Sequence, residues 1–171
     1  FKYKDEFYNR NFVIKRAKDN LIPKEYERFQ REFKEMKKLH SPYIVEVFSF
    51  DEEHRQYIME YMDDTIYNYI MDNNTKLTLQ NRKVLVNQIL KAVEYIHSKG
   101  LLHRDISLNN VLLKEYEDVI VVKISDFGLV KLEDSTLTSL MTEFKGSLND
   151  PELKVCGFSQ YKIQHETYAL T

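Results

Sequence analysis

The chain has 171 residues, of which 43% are hydrophobic and 30% charged, which suffices for one domain with a hydrophobic core. Its formal net charge of −2 shows no bias toward nucleic acid or an anionic membrane as a partner, and no apolar run approaches the ~20 residues that span a bilayer. The single cysteine, Cys156, excludes an internal disulfide and is typical of a reducing compartment, so we expect a cytoplasmic protein.

Two strands joined by a polar turn are predicted over residues 1–15, with the turn at residues 5–11. The second strand is β-rich and ends in Lys15 after an apolar run. A lysine at the end of a strand is most often solvated, so this strand alone does not assign a role to Lys15.

A helix is predicted over residues 23–40, because Pro23 suits its first turn and apolar side chains recur at spacings of three and four. These apolar side chains are Tyr26, Phe29, Phe33, Met36 and Leu39. Glu32 lies on the flank of the apolar face and is the glutamate best placed to pair with Lys15, while Glu35 remains the alternative. A lysine held by a carboxylate loses less entropy when it binds phosphate oxygens.

Three further elements follow along the chain. Residues 41–50 and 57–62 predict a hairpin around a charged turn, and a short polar helix is expected before a loop at residues 72–75. A long helix is predicted over residues 79–98, with Gly100 as its stop signal. Its buried face is predicted to contain Leu85, Ile89, Val93 and Ile96, widened by Val84, Val86, Leu90 and Ala92.

The most informative stretch is HRDISLNN at residues 103–110, together with DFG at residues 126–128. The flanking β-rich runs place Asp105, Asn110 and Asp126 at the ends of short strands. Three oxygen-donor side chains that converge there would suit Mg²⁺, which usually keeps a bound phosphate. A carboxylate beside such a cation could accept a hydroxyl proton and orient the hydroxyl for in-line attack.

These two motifs, with Asp126 following Asp105 by 21 residues, resemble the catalytic loop and the metal-binding loop of eukaryotic-type protein kinases. The strand that ends at Lys15, the helix with Glu32 and the strand at residues 57–62 occur in the order found in that family. The resemblance therefore extends along most of the chain.

The resemblance implies an α+β, two-lobed protein-kinase-like fold. Residues 1–61 would form the small N-terminal lobe, a sheet with one helix, and residues 62–171 a partial, mainly helical lobe that ends in its central helix. No glycine precedes Gly100, so the glycine-rich loop that covers the phosphates in the family is expected to be missing from residues 1–171. This stretch by itself is expected to be inactive.

The resemblance also implies a role for individual side chains. Asp105 would accept the proton of the attacking hydroxyl or orient that hydroxyl. The other assigned residues are Lys15 and Glu32 for the nucleotide phosphates, Glu60 (carbonyl) and Met62 (amide) for the adenine, Leu112 beneath the adenine, and Asn110 and Asp126 for Mg²⁺.

Three neighbours of Asp105 have implied roles of their own. His103 is expected to be a packed structural residue behind Phe127, and Arg104 is a candidate clamp for a phosphorylated activation segment. Ser107 replaces the lysine that serine/threonine kinases usually have at this position, which removes a positive charge near the transferred phosphoryl group.

Residues 129–143 resemble the activation segment of the family, and Gly146-Ser147 with Asp150-Pro151-Glu152 resemble its end. The hydroxyls that could be phosphorylated there are Ser135, Thr136, Thr138, Ser139 and Thr142. Residues 164–171 resemble the start of the central helix.

The implied reaction is transfer of the ATP γ-phosphoryl group, with Mg²⁺, to serine or threonine of a protein substrate. One alternative is a pseudokinase that binds nucleotide or partners without catalysis. A second alternative is a phosphotransferase that acts on small molecules. The sequence gives no indication of the oligomeric state.

Overall fold

The computed structural model describes residues 1–129, 131–132 and 148–171, with residues 131–132 described by their backbone alone. The candidate phosphorylation sites from Ser135 to Thr142, and Gly146-Ser147, lie outside these ranges.

The first part of the chain forms a four-stranded antiparallel sheet with one helix against it. The strands are β1 (Lys2–Asp5), β2 (Arg10–Arg16), β3 (Val47–Asp51) and β4 (Gln56–Glu60), in the spatial order β1-β2-β4-β3. The helix is α1 (Pro23–Lys38). The predicted strands, helix and hairpin are thus confirmed, although β3 begins only at Val47: residues 42–43 form a turn, and Ile44 forms an isolated bridge with Ile124.

Helix α1 begins where its sequence signals predict and ends at Lys38, two residues before the predicted end. Pro23 occupies the first turn, and the backbone N–H of Ile22 donates to the Glu25 side chain 3.2 Å away. Phe29 and Met36 are buried, and the carboxylate-bearing side chain of Glu32 is buried with them. A buried carboxylate at the core face of a helix requires hydrogen-bond donors from the neighbouring sheet.

The second part of the chain contains two short sheets and four α-helices among its described residues. The three-stranded sheet has the order β5-β7-β8, and the two-stranded sheet pairs β6 with β9. The elements are β5 (Asp64–Thr65), α2 (Ile66–Asn73), α3 (Leu79–Ser98), β6 (Leu101–Leu102), β7 (Val111–Glu115), β8 (Ile120–Ile124), β9 (Lys131–Leu132), α4 (Leu153–Cys156), a 3-10 helix (Phe158–Gln160) and α5 (Ile163–Tyr168).

Two strands were not predicted from the sequence, because each forms only by pairing with a strand distant in the chain. Strand β5 pairs with β7, and the N–H of Asp63 donates to the carbonyl of Leu113 at 2.9 Å just before this pairing. Strand β9 lies inside the segment predicted as a polar loop and pairs with β6. Helix α2 also extends to Asn73, into the loop predicted at residues 72–75.

The predicted buried face of α3 was too wide. Leu85, Ala92, Val93 and Ile96 are buried, and Ile89 is partly buried, as expected. The prediction was wrong for three residues that remain 44–50% exposed, namely Val84, Val86 and Leu90. At ~100° per residue these positions lie roughly 80–120° around the helix axis from the centre of the buried stripe, which explains their exposure.

A continuous hydrophobic core joins the two parts of the chain. Met36 of α1, Tyr57 of β4, Leu113 of β7 and Phe127 belong to one cluster of buried side chains. Backbone bonds reinforce it, because Ile124 both donates to Tyr43 and accepts from Val45, at 2.9 and 3.0 Å. Within the described residues, no helix combines the length and the apolar character needed to cross a membrane.

The side chain of Gln88 on α3 satisfies the backbone of strand β8. Its amide nitrogen donates to the carbonyl of Ile120, and its amide oxygen accepts from the N–H of Val122, both at 2.9 Å. Gln88 therefore provides the two hydrogen bonds that another strand would otherwise provide at this edge.

We expect Gln88→Ala to lower the free energy of unfolding by about 1–3 kcal/mol, because it leaves two partly buried backbone groups without their partners. Urea denaturation measures this change. The matched control is Asn87→Ala, an exposed position on the same helix, which should change stability by no more than about 0.5 kcal/mol. Equal effects of the two substitutions would contradict this role of Gln88.

Candidate active site

Lys15 and Glu32 form the ion pair that the sequence predicts. The Lys15 ammonium donates to Glu32 Oε1 at 2.5 Å, which joins β2 to α1. The alternative partner, Glu35, instead pairs with Lys38 at 2.8 Å. Glu32 was therefore the correct choice between the two glutamates.

The Glu32 carboxyl has a pKa above its ordinary value. Burial is the main cause, and the negative charge of Asp126 acts in the same direction. The Lys15 charge and the hydrogen bonds from Lys15 and Tyr57 act in the opposite direction. The Tyr57 hydroxyl donates to Glu32 Oε1 at 2.8 Å, and this contact was not predicted from the sequence.

Asp126 is the second carboxylate near the Lys15 ammonium. Its Oδ1 is 3.8 Å from the Lys15 ammonium, and its side chain is 46% exposed, so the carboxylate remains accessible to a ligand. Asp126 has a φ of +63°, a conformation that costs about 1–3 kcal/mol and is most common at functional sites. A Cβ added at Gly128 would lie 3.2 Å from Asp126 Oδ1, so a glycine at this position leaves room for the Asp126 carboxylate.

The catalytic-loop residues Asp105 and Asn110 contact each other directly. The amide nitrogen of Asn110 donates to the Asp105 carbonyl at 2.8 Å and to its carboxylate at 3.0 Å. This double contact orients the Asp105 side chain. Because the Asn110 amide nitrogen makes both of these hydrogen bonds, the amide oxygen is the atom that is able to bind a cation.

His103 connects the two motifs as a structural residue. It is buried, Nδ1 accepts from the N–H of Asp105 at 3.3 Å, and Nε2 lies 2.9 Å from the carbonyl of Ser125. Because Nδ1 accepts, the ring proton is on Nε2 and is donated to Ser125. The ring also packs edge-on against Phe127, with centroids 4.7 Å apart, as expected.

These contacts bring the three predicted catalytic residues and the predicted metal ligand Asp126 into one connected group. Lys15 is adjacent to Asp126, and Asn110 is adjacent to Asp105. The two pairs are joined because Ser125, the residue before Asp126, donates its N–H and its hydroxyl to the carbonyl of Asn110 at 2.9 and 3.1 Å.

The donor set of this group fits a magnesium ion. Asp126 offers a partly exposed carboxylate, and Asn110 offers an amide oxygen. Mg²⁺ prefers oxygen ligands and is typically bound by one or two carboxylates together with substrate phosphates. Lys15 provides a cation beside the same position.

The predicted adenine-binding residues lie where the first sheet meets the second. Glu60 ends β4, Met62 is buried two residues later, and Leu112 lies on β7 opposite Lys123 of β8. The Glu60 carboxylate is bound by the Lys123 ammonium at 2.7 and 2.9 Å. The backbone roles of Glu60 and Met62, and the role of Leu112, stay predictions.

Comparison with known proteins identifies the family. The model of the protein kinase domain matches residues 1–160. The chain belongs to the protein kinase family. The kinase named "Probable serine/threonine-protein kinase PknB" of Lactococcus lactis is 34% identical over 84% of this chain, and the kinase RAD53 of Saccharomyces cerevisiae is 31% identical over 81%. The chain spans only 23% and 17% of the length of these two relatives.

A solved structure confirms the α+β kinase fold. The yeast RNA polymerase II CTD kinase CTDK-1 complex contains a chain that superposes on this one with a TM-score of 0.77 and 22% identity. The match covers 99% of this kinase chain and 55% of the solved chain. At this identity the likeness supports the fold alone.

Arg104 of the kinase chain is buried against the segment that follows α4. Its guanidinium lies 4.1 Å from the centre of the Phe158 ring and donates to the Phe158 carbonyl at 3.1 Å. Burial lowers the pKa of Arg104 to about 10. Its role as a clamp for a phosphorylated activation segment stays a prediction, because that segment lies outside the described residues.

Glu166 supports the catalytic loop and was not assigned this role from the sequence. It is fully buried, accepts from the N–H of Arg104 at 2.8 Å, and lies 2.9 Å from His97 Nε2. Arg104 has a φ of +69°, which is strained for a residue with a long side chain. Glu166 therefore holds a strained backbone next to Asp105.

Asp150, Glu152 and His165 form a second cluster, with ligand-type atoms within 4.8 Å of one another. The imidazole does not suit a metal ion, because its Nδ1 accepts from the N–H of Lys162 at 2.9 Å and the proton is therefore on Nε2. A metal-binding histidine donates from its second nitrogen instead. Nε2 faces Glu152 at 3.5 Å.

We expect Glu166→Gln to lower the free energy of unfolding at neutral pH by about 1.5–3 kcal/mol, since hydrogen bonds to a buried charge are weakened. Burial alone would raise the pKa of Glu166, but the hydrogen bond with His97, the electrostatic interaction with His103 and the hydrogen bonds from the backbone of Arg104 and His103 lower it overall. A lowered pKa stabilises the folded state above pH 4.5, and this contribution is lost as the pH falls through the folded value.

Urea denaturation as a function of pH measures this effect. The difference between wild type and Glu166→Gln should shrink progressively below pH 4.5. Glu94→Gln, an exposed position on α3, is the control and should change stability little at any pH. A difference that stays constant down to acid pH would contradict the assignment.

Proposed function

We propose that the protein to which this chain belongs transfers the γ-phosphoryl group of ATP to serine or threonine hydroxyls of protein substrates. The observation that carries the proposal is the connected group Glu32–Lys15–Asp126 and Asn110–Asp105, joined through Ser125. Residues far apart in the sequence meet there with the donor types that phosphoryl transfer requires.

In this mechanism each side chain has one task. Lys15, aligned by Glu32, binds the nucleotide phosphates. Asn110 and Asp126 would hold Mg²⁺, which would neutralise charge on the phosphates and on the transferring group. Asp105, oriented by the Asn110 amide, accepts the hydroxyl proton of the substrate and directs its oxygen in line with the phosphorus atom.

Two observations favour a protein as the acceptor. The relatives are named serine/threonine-protein kinases. The segment from Asp150 to Glu152 is also retained after the activation segment, as in protein kinases. A reducing, cytoplasmic location is part of the proposal and is supported by the single cysteine.

Each alternative meets a specific objection. A pseudokinase without catalysis is disfavoured because Lys15, Asp105, Asn110 and Asp126 are all present, whereas degenerate members typically lose at least one. A small-molecule phosphotransferase with the same lobes is disfavoured by Arg104, by the intact DFG and by the segment at residues 150–152.

We expect Asp105→Asn in the full-length protein to lower kcat for peptide phosphorylation by about 10²–10⁴-fold, because asparagine cannot accept the hydroxyl proton. The KM for ATP should change little, since asparagine keeps an oxygen that can accept from Asn110. The measurement is the rate of phosphate transfer from ATP labelled at the γ-phosphate. Asp118→Asn, in an exposed turn, is the matched control. Full activity of Asp105→Asn would contradict its role as the base.

The class of substrate is tested by offering several acceptors to the wild-type full-length protein. Peptides with serine, threonine or tyrosine are compared with sugars and aminoglycosides at equal concentration. We expect phosphate on serine and threonine, with lower transfer to tyrosine and none to the small molecules. Transfer to a small molecule in preference to every peptide would favour the second alternative.

A further inference from the structure

Tyr57 is a fully buried residue of β4 whose hydroxyl is directed at the candidate active site. Its O–H donates to Glu32 Oε1 at 2.8 Å, and the same oxygen accepts from the Lys15 ammonium. Tyr57 is also the residue opposite Lys15 in the pairing of β2 with β4. Glu32 is therefore held by donors from two neighbouring strands at once.

We propose that Tyr57 is a positioning residue of the active site: its O–H fixes the Glu32 carboxylate toward Lys15 and thereby keeps Lys15 from leaving Glu32 for a closer contact with Asp126, which lies 3.8 Å away. The kinetic part of this inference rests on the proposed phosphoryl transfer. The geometric part rests only on the hydrogen bonds of Tyr57 and Lys15 with Glu32 and on the pairing of Tyr57 with Lys15 across β2 and β4.

The competition between two carboxylates for one lysine gives Tyr57 its importance. The Lys15 ammonium is 2.5 Å from Glu32 and 3.8 Å from Asp126. A lysine that moved to Asp126 would neutralise the carboxylate proposed to bind Mg²⁺ and would leave Glu32 buried without its cation. A second donor on Glu32 Oε1 opposes this movement, because it stabilises the carboxylate where Lys15 already binds it.

Packing fixes the Tyr57 ring between helix and sheet. Its centroid lies 5.1 Å from that of Phe29 and 5.5 Å from that of Phe33, both on α1, and 6.3 Å from that of Phe50 on β3. Phe29 and Phe33 lie on either side of Glu32 in the helix sequence. A rotation of α1 that withdrew Glu32 would therefore also separate these rings, so the hydroxyl is aligned with Glu32 only when the helix is docked.

The hydroxyl keeps its proton and donates it to Glu32 in this environment. Burial, followed by the charge of Glu32, raises the pKa of the Tyr57 hydroxyl, and the Asp126 charge acts in the same direction. Tyr57 therefore remains protonated at neutral pH. The charged groups around Glu32 are Lys15 from β2 and Asp126 from the loop after β8, with the Tyr57 phenol from β4.

A purely structural role would explain the ring but not the hydroxyl. Tyr57→Phe keeps the aromatic packing and removes only the O–H, so it separates the two explanations. Comparison with Glu32→Gln and with the double variant shows whether Tyr57 acts through Glu32. Tyr43→Phe is the matched control, at a half-buried tyrosine outside the site.

The kinetic measurement is kcat/KM for ATP in the full-length protein. We expect Tyr57→Phe to lower it by about ten-fold, the size of one hydrogen bond to a charged group. In the Glu32→Gln background the same substitution should cost less than about two-fold, since the acceptor charge is already gone. Tyr43→Phe should have no effect.

A second measurement does not depend on activity. The δ-carbon signal of Glu32 in ¹³C NMR of glutamate-labelled protein is assigned by its loss in Glu32→Gln. It should move in Tyr57→Phe and stay in place in Tyr43→Phe. An equal loss of kcat/KM in both backgrounds, no loss in Tyr57→Phe, or an unmoved Glu32 signal would overturn the proposal. If the wild type transfers no phosphate, the proposed function fails, and the Glu32 signal alone decides the positioning role.

Discussion

A buried carboxylate cannot remain charged unless donors surround it, and this constraint organises the first half of the molecule. Glu32 is almost fully buried on α1, and its donors, Lys15 and Tyr57, come from β2 and β4. Removal of one partner from a buried ion pair leaves an uncompensated charge, which is strongly destabilising. Helix, sheet and lysine are therefore held together by one carboxylate, and the same lysine then lies beside Asp126.

The second half of the site depends on strained backbone that neighbouring groups hold in place. Arg104 and Asp126 both have positive φ values. Arg104 is stabilised through its N–H by Glu166, while Asp126 follows Ser125, whose carbonyl lies 2.9 Å from His103 Nε2. Strain of this kind persists only where the surroundings over-determine it. The conformations of the two motifs are consequently fixed by contacts with Glu166 and His103.

The sequence predicted those features that depend on local pattern. The periodic stripe of α1 and its flanking Glu32 were sufficient for the helix and its ion pair, and the two motifs were sufficient to expect Asp105, Asn110 and Asp126 near one another at strand ends. Features that depend on tertiary register were missed, among them strand β5 and the Tyr57 hydroxyl. The face of α3 was overestimated because apolar residues such as Val84 were counted by type and not by their angle around the helix.

The ion pair of Glu60 with Lys123 has a mechanical consequence. Glu60 ends the last strand of the first sheet, and Lys123 lies on β8 three residues before Asp126. Both charges are largely withdrawn from water, so parting them would leave each poorly solvated. The contact therefore ties the end of β4 to the strand that leads to Asp126, and it opposes separation of the first sheet from β8.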